Sequence, residues 1–319
     1  MDRRSFVAVM GGGALDLGRF TRRAAVETDA RAWHAARRFV ETPFGRVAYV
    51  ERGRGARGAA ALFLHGFPLN GFQWRGALDR LAAHRRCIAP DFLALGYTEV
   101  ARAQSVAPEA QVAMLLALLD ALGVDRVDLV ASDSGGAVAQ LLAARHPARV
   151  RTVLLTNCDA ETDSPPPALA PVIELAHAGT YPDRWLAPWL ADKALARSSS
   201  GLGGLTFTHP DRLADATIDC YLAPLVASSA RKALVNAYAI ALERNALAGV
   251  SDALHRCTAP ARIVWGTGDE IFSAASPDYL ARTFGNSRGV RRVPGARLFF
   301  PEEFPDLIAE EARRLWDVA

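Results

Sequence analysis

Short apolar runs and longer helical stretches alternate along most of the chain. RVAYVER (46–52) alternates apolar and polar positions as a strand does, and AALFL (60–64) is a short continuous apolar run ending at His65-Gly66-Phe67-Pro68. Helical spacing follows around Trp74 to Ala83, and Cys87 to Ala89 forms another short strand closing on Pro90-Asp91. PEAQVAMLLALLDAL (108–122) predicts an apolar helix, with proline in its first turn and Gly123 past its end. VDLVAS (127–132), a helix to Arg145 and a strand from Val153 to Thr156 continue the rhythm. Short buried strands alternating with helices predict an α/β fold, a mainly parallel sheet covered by helices on both faces. Ligands in such sheets bind beyond the carboxyl ends of the strands.

After Asn157-Cys158-Asp159 the alternation stops. Pro165-Pro166-Pro167 opens a stretch of helical patches without clear strands, and strand character returns only at ARIVW (261–265). A connection of that length needs structure of its own. Residues 160–258 are therefore expected to form an inserted helical lid, with 39–159 and 259–319 forming the body. The lid carries Tyr181, Trp185, Trp189, Tyr221 and Tyr238.

The formal charge of +3 on 319 residues divides unevenly. Residues 1–39 hold eight Arg and four acids, so the tail is +4 and the remaining 280 residues are −1. A nearly neutral body offers no electrostatic footprint for nucleic acid. No apolar run reaches the length of a membrane span. Cys87, Cys158, Cys220 and Cys257 are too widely spaced for a zinc site or a dense disulfide framework. Arg3-Arg4-Ser5-Phe6-Val7, ahead of an apolar glycine-rich run, resembles a twin-arginine export signal, and Ala30-Arg31-Ala32 suits a cleavage site. The chain is expected to be cytoplasmic, or exported if that signal works, with residues 1–38 outside the fold. No cofactor or metal is called for, no oligomeric state is indicated, and the expected partner is a small apolar substrate.

The chemistry concentrates in VASDSGGAVAQ (130–140), a strand end followed by two glycines and a small apolar helix. A strand-to-helix turn that tight needs small residues two before and two after its tip. Ser132 fails, because Val130 would occupy a small position. Ser134, with Ser132 and Gly136, and Asp133, with Ala131 and Gly135, both pass. Spacing alone leaves these two.

The segment VDLVASDSGGAVAQLLAARHPARV resembles the nucleophile elbow of the α/β-hydrolase superfamily. LFLHGFP (62–68) is similar to that superfamily's oxyanion loop, and WGTGD (265–269) to its acid-bearing turn. The resemblance covers residues 40–319 and implies an α/β-hydrolase fold. It places Asp133 at the tip, because the glycine pair starts two residues after the nucleophile. Asp133 with His65-Gly66-Phe67-Pro68 resembles the Asp-nucleophile branch, the epoxide hydrolases and the haloalkane and haloacetate dehalogenases. In that chemistry a carboxylate opens an sp³ carbon to form an enzyme ester. Water then cleaves the ester while backbone N–H groups hold the oxyanion. The resemblance implies Phe67 and Ser134 as those donors, and His65 as an oxyanion-loop residue with a structural role.

One part of the pattern is missing. The segment VPGARLFFPEEFP (293–305) is similar to the branch's catalytic-histidine segment, with Leu298 where histidine is expected. The last histidine in the chain is His255, ahead of the acid turn, so the usual order cannot be completed. His177, His209 and His255, in or beside the lid, are the remaining candidates for a base. Glu302 and Glu303 are expected to start the last helix, where acids suit its N-terminus. Asp269 matches the acid turn, and Asp159 stands where some dehalogenases carry their acid. The tryptophan that holds halide in haloalkane dehalogenases is replaced by Ser134, and the haloacetate enzymes' arginine is absent. Tyr181, Tyr221 and Tyr238 supply candidates to protonate an opening epoxide oxygen. The expected function is ring opening or displacement by Asp133 with an incomplete triad. The alternatives are a non-hydrolytic elimination, isomerisation or cyclisation using Asp133 as acid or base, and a ligand-binding protein without catalysis.

Overall fold

The computed structural model describes residues 29–54, 59–100 and 103–318. The strands are β1 (Arg38–Thr42), β2 (Gly45–Arg52), β3 (Ala60–Leu64), β4 (Arg86–Pro90), β5 (Glu99–Val100), β6 (Val127–Asp133), β7 (Val150–Cys158), β8 (Ala261–Gly266) and β9 (Ser287–Val293). They form one sheet in the order β1-β2-β4-β3-β6-β7-β8-β9, with β5 paired to β2. β1, β2, β4 and β5 pair antiparallel, whereas β4-β3-β6-β7-β8-β9 run parallel. The central strands β3 and β6 are buried along their whole length. This is why AALFL and VDLVASD read as continuous runs, since both faces of a parallel sheet are covered.

Helix Ser134–Arg145 packs on β6 and β7, and helix Pro108–Ala121 packs on that helix. Helix Pro305–Trp316 packs on β7, β8 and helix Arg75–Leu81. The charge buried in the sheet is paired: Asp128 on β6 accepts from Arg85, Arg151 and the Thr152 hydroxyl. Burying that carboxylate is tolerable because two cations and a hydroxyl answer it.

Three strands depart from the sequence expectation. β1 (RFVET) is a half-exposed edge with little periodicity, and β5 is two residues long. β9 (SRGVRRV) is an edge strand whose charges hide it from a hydrophobic reading, with Arg291 held by Glu310 and Glu311. Charged edges of this kind block strand addition.

The fold also starts earlier than residue 39, which corrects the expectation for residues 1–38. Residues 29–36 are helical, and Trp33 is 3% exposed with its ring edge-on to Phe72 at 5.8 Å. An indole needs a large apolar contact, and the core supplies it. The Arg3-Arg4 segment lies outside the described residues. Between β7 and β8 the regular elements are all helical, among them Ala170–His177, Asp215–Val226 and Ser229–Ala241. Among the described residues no helix is long and apolar enough to cross a membrane.

Candidate active site

Asp133 ends β6 and precedes helix Ser134–Arg145 with φ 55° and ψ −135°. Backbone strain of this kind at a non-glycine residue persists only where the surroundings enforce it. Two glycines make the turn possible. A Cβ on Gly135 would stand 2.5 Å from the His65 carbonyl oxygen, and one on Gly66 would stand 2.5 Å from Asp133 Oδ2. The oxyanion loop thus reaches the Asp133 carboxylate. The Phe67 N–H donates to Asp133 Oδ2 at 2.7 Å, and the Ser134 N–H also donates to this carboxylate.

His65 stands behind that loop. Its Nδ1 lies 2.9 Å from the Gly66 carbonyl and its Nε2 accepts from the Phe92 N–H at 3.0 Å. Burial holds its pKa below the ordinary histidine value, so both ring nitrogens are used in shaping the loop.

A cavity of about 320 Å³ opens over Asp133. Asp159, Ser134, Phe67, Tyr181, Trp185 and Leu298 line it together with Asp133. Leu298 is 2% exposed and forms part of the wall. Trp189, named from the sequence only as a lid aromatic, lines it too, whereas sequence reasoning missed Leu202, Leu205 and Thr206 from the helical connection, and Ile271 and Phe272 beyond the acid turn. Their position just past Gly268-Asp269 was the available signal for the last two. The lining is mostly apolar with a few convergent polar groups, the usual character of a small-molecule site.

The three tyrosines separate. The Tyr181 ring lies 5.7 Å from Phe67, and its hydroxyl has no hydrogen-bond partner among the described residues. Tyr238 stacks on Phe67 at 5.2 Å and shares a 3.1 Å hydrogen bond between its hydroxyl and Ser134 Oγ. Tyr221 does not line the cavity. Its hydroxyl donates to Glu302 Oε2 at 2.5 Å, and Arg75 Nη1 donates to Glu302 Oε1 at 2.8 Å. A buried carboxylate beside a buried guanidinium drew Tyr221 away from the site.

Glu302 and Glu303 belong to a short separate helix, Phe300–Glu303, and not to the last helix as the sequence suggested. Glu303 accepts from the N–H groups of Thr208 and His209. None of the seven histidines lines the cavity. His177 bonds to Glu243 at the surface, His209 packs its ring on Phe304, and His255 is exposed.

The acids also divide. Asp269 accepts from the Ile271 N–H at 2.9 Å and from Asn157 Nδ2 at 2.8 Å, and it is not in the cavity wall. Asn157, at the end of β7, is a residue the sequence reading did not single out. It also takes the Gly266 N–H and donates to the Gly266 carbonyl, tying β7 to β8 beneath the acid turn. Asp159 lines the cavity and is 8% exposed. Unlike Asp128, neither Asp133 nor Asp159 has a cationic partner among the described residues.

Burial pushes the Asp133 carboxyl well above the ordinary range, with Asp159 adding to it and the Phe67 and Ser134 N–H groups opposing. Burial raises Asp159 to about 7, against hydrogen bonds from Ser164 and its own backbone. Desolvated, unpaired carboxyls in a cleft are the signature of a working site more than of a scaffold.

These shifts carry a stability consequence. Asp159 keeps its proton in the folded state up to about pH 7, whereas the unfolded chain releases it near 3.8. The folded state binds more protons across that window, so this group's contribution is full below it and is lost as pH rises towards 7. Asp159→Asn is therefore expected to gain stability relative to the parent as pH rises from about 4 to 7. The gain should be on the order of 1 kcal/mol per pH unit, read from paired thermal melts.

The parallel sheet, the strained elbow and the loop N–H groups aimed at its carboxylate define a hydrolase-type site. The family model described as "alpha/beta hydrolase fold" matches residues 61–304, and the chain belongs to that family. Epoxide hydrolase 3 of Mus musculus is 26% identical over 278 residues, covering 82% of this chain and 71% of that protein. A haloalkane dehalogenase of Mesorhizobium japonicum is 43% identical over 110 residues, 33% of each chain. A 2-hydroxy-6-oxo-2,4-heptadienoate hydrolase of Pseudomonas putida is 44% identical over 82 residues, 26% of this chain and 30% of that enzyme. The last two matches thus span about a third of the relatives' length. Among solved structures, the epoxide hydrolase CorEH superposes with a TM-score of 0.69 at 18% identity, covering 88% of this chain and 98% of that one. An esterase from Thermogutta terrifontis gives 0.68 at 22%, with 88% and 98% covered. At those identities the superpositions establish the fold.

Proposed function

We propose that the protein opens small apolar epoxides by nucleophilic attack of Asp133, forming a covalent ester that water then cleaves to a diol. The observation that carries this reading is the arrangement around one carboxylate. Asp133 sits on a strained turn beneath a mostly apolar cavity, with the Phe67 and Ser134 N–H groups on its oxygens. Tyr181, buried in the same cavity, has a hydroxyl without a hydrogen-bond partner among the described residues.

Attack by an Asp133 oxygen at an epoxide carbon breaks the ring C–O bond, and the released oxygen needs a proton. Burial and the nearby Asp133 charge raise the Tyr181 phenol above its ordinary value, so it is fully protonated at working pH and able to give one. The two N–H groups that hold the carboxylate in the free protein are placed to hold the oxyanion when the ester is cleaved. The helical connection between β7 and β8 serves as the lid that keeps bulk water from the ester. Aromatic walls and a volume near 320 Å³ suit an aryl or short alkyl epoxide. Ser134, whose hydroxyl is engaged with Tyr238, gives a halide no tryptophan donor, and this favours epoxides over alkyl halides.

Incubation with styrene oxide and a panel of small epoxides and alkyl halides tests the reading. Diol is expected from epoxides, with Tyr181→Phe slowing it about a hundredfold or more while substrate still binds. Halide release without diol would reverse the substrate assignment. The wall position of Leu298 favours a second reading, in which protonated Asp133 acts as an acid in an isomerisation or cyclisation. A product of unchanged mass would then replace the diol.

A further inference from the structure

The proposed ester needs a base to activate its water, and the cavity wall holds no imidazole. Resting on the reading of Asp133 as nucleophile, we propose that Asp159 is the general base that hydrolyses the Asp133 ester. The carboxyl groups nearby narrow to this one. Asp269 spends its oxygens on Asn157 and Ile271 and lies outside the wall. Glu270 is in the wall but largely exposed and paired with Arg297. Asp159 is in the wall, buried, and without a cation.

Its position follows from the sheet. Asp133 pairs in register with Cys158 on the neighbouring parallel strand, so Asp159 is the next residue beyond the nucleophile's own neighbour. Gln140 Nε2 donates to the Asp159 carbonyl at 2.7 Å, anchoring the backbone to the elbow helix. The Tyr181 hydroxyl, without a hydrogen-bond partner among the described residues, shares the same cavity.

The step balances. The Asp159 carboxylate takes a proton from water as the water oxygen bonds to Cγ of the Asp133 ester, and the N–H groups of Phe67 and Ser134 hold the oxyanion. Collapse breaks the Cγ–O bond to the alkyl group, and protonated Asp159 returns its proton to the departing alkoxide. Asp133, left as the acid, gives its proton to the Tyr181 phenolate formed in the first step. One epoxide and one water become one diol.

A carboxylate is usually too weak a base for this work near neutrality, but a group with a value near 7 is matched to it. Among the described residues, the titratable groups around it are Asp133 of β6, Cys158 of β7, Asp163 in the following loop and Tyr238 from the helical connection, with Tyr181 and Glu270 in the same cavity wall. None is a cation, so the surroundings hold its proton affinity up.

The test separates the two half-reactions by rapid-quench mass spectrometry of the whole protein with styrene oxide. In the parent, a species heavier by one epoxide should appear and clear, with clearance accelerating as pH rises through about 7. In Asp159→Asn the same species should form and then persist, clearing at least about a hundredfold more slowly. Its formation shows that the variant is folded. Asp159→Glu, which keeps the carboxylate, should recover part of the clearance. Clearance at the parent rate in Asp159→Asn, or stalling in Asp269→Asn alone, would overturn the assignment and leave Asp133 as nucleophile. So would a folded Asp159→Asn that never forms the species the parent forms. Diol production by the parent with no heavier species, even at the shortest quench times, would overturn the nucleophile reading itself.

Discussion

Asp133→Asn should reduce kcat/KM for epoxide opening by at least about a thousandfold, the loss expected when a nucleophile is removed. The amide is nearly isosteric, and one of its atoms can still accept the Phe67 N–H, so the elbow should keep its strained geometry. The same change relieves a cost. The parent carboxyl is buried, without a cation among the described residues and beside Asp159, and both its burial and that neighbour disfavour the ionised form. Asp133→Asn is therefore expected to be at least as thermally stable as the parent near neutral pH, while inactive. Loss of activity together with a large loss of stability would mean that the carboxylate is a scaffold group. Steady-state diol production and a thermal melt on the same sample distinguish these.

The second large effect is a rescue. Leu298 lies in the cavity wall on the loop after β9, at the position where the resemblance expects an imidazole. In the stalled Asp159→Asn protein, Leu298→His supplies a base with an ordinary value near 6.5. Clearance of the ester should rise by about a hundredfold over Asp159→Asn alone. The substitution also buries a polar ring where a leucine packed, at a cost of about 1–3 kcal/mol unless the ring finds a partner. Improved turnover with a lowered melting temperature is thus the expected combination. If the double variant binds epoxide, forms the ester and clears it no faster, Leu298 is not at the base's position.

The central sheet was legible because burial on both faces writes itself as unbroken apolar runs, as at AALFL and VDLVASD. β9 was not, because an edge strand is free to carry Arg288, Arg291 and Arg292, the last two with acidic partners. The elbow could be narrowed from spacing to Ser134 or Asp133. The backbone puts Asp133 at the strained position, and Gly135 abuts the His65 carbonyl, which is the physical reason for a glycine two residues on.

Contacts across the cavity were beyond reach of the sequence. Tyr221 and Tyr181 look alike in the chain, yet Glu302 captures one and leaves the other facing Asp133's cavity. Asp159 and Asp269 were both plausible acids. Which of them reaches the cavity depends on Asn157, whose hydrogen bonds to Gly266 and Asp269 occupy the latter. No pattern in the sequence marks that asparagine. Trp33 was assigned to a tail because the arginines around it outweighed a single buried indole.

The most direct measurement is a single turnover in water enriched in oxygen-18, with enzyme in excess over styrene oxide. If Asp133 forms the ester and water attacks its Cγ, the first diol carries no label. The peptide containing Asp133 then gains one heavy oxygen. Label in the first diol with an unlabelled Asp133 peptide would mean that water attacks the epoxide directly, and the nucleophilic mechanism would be wrong.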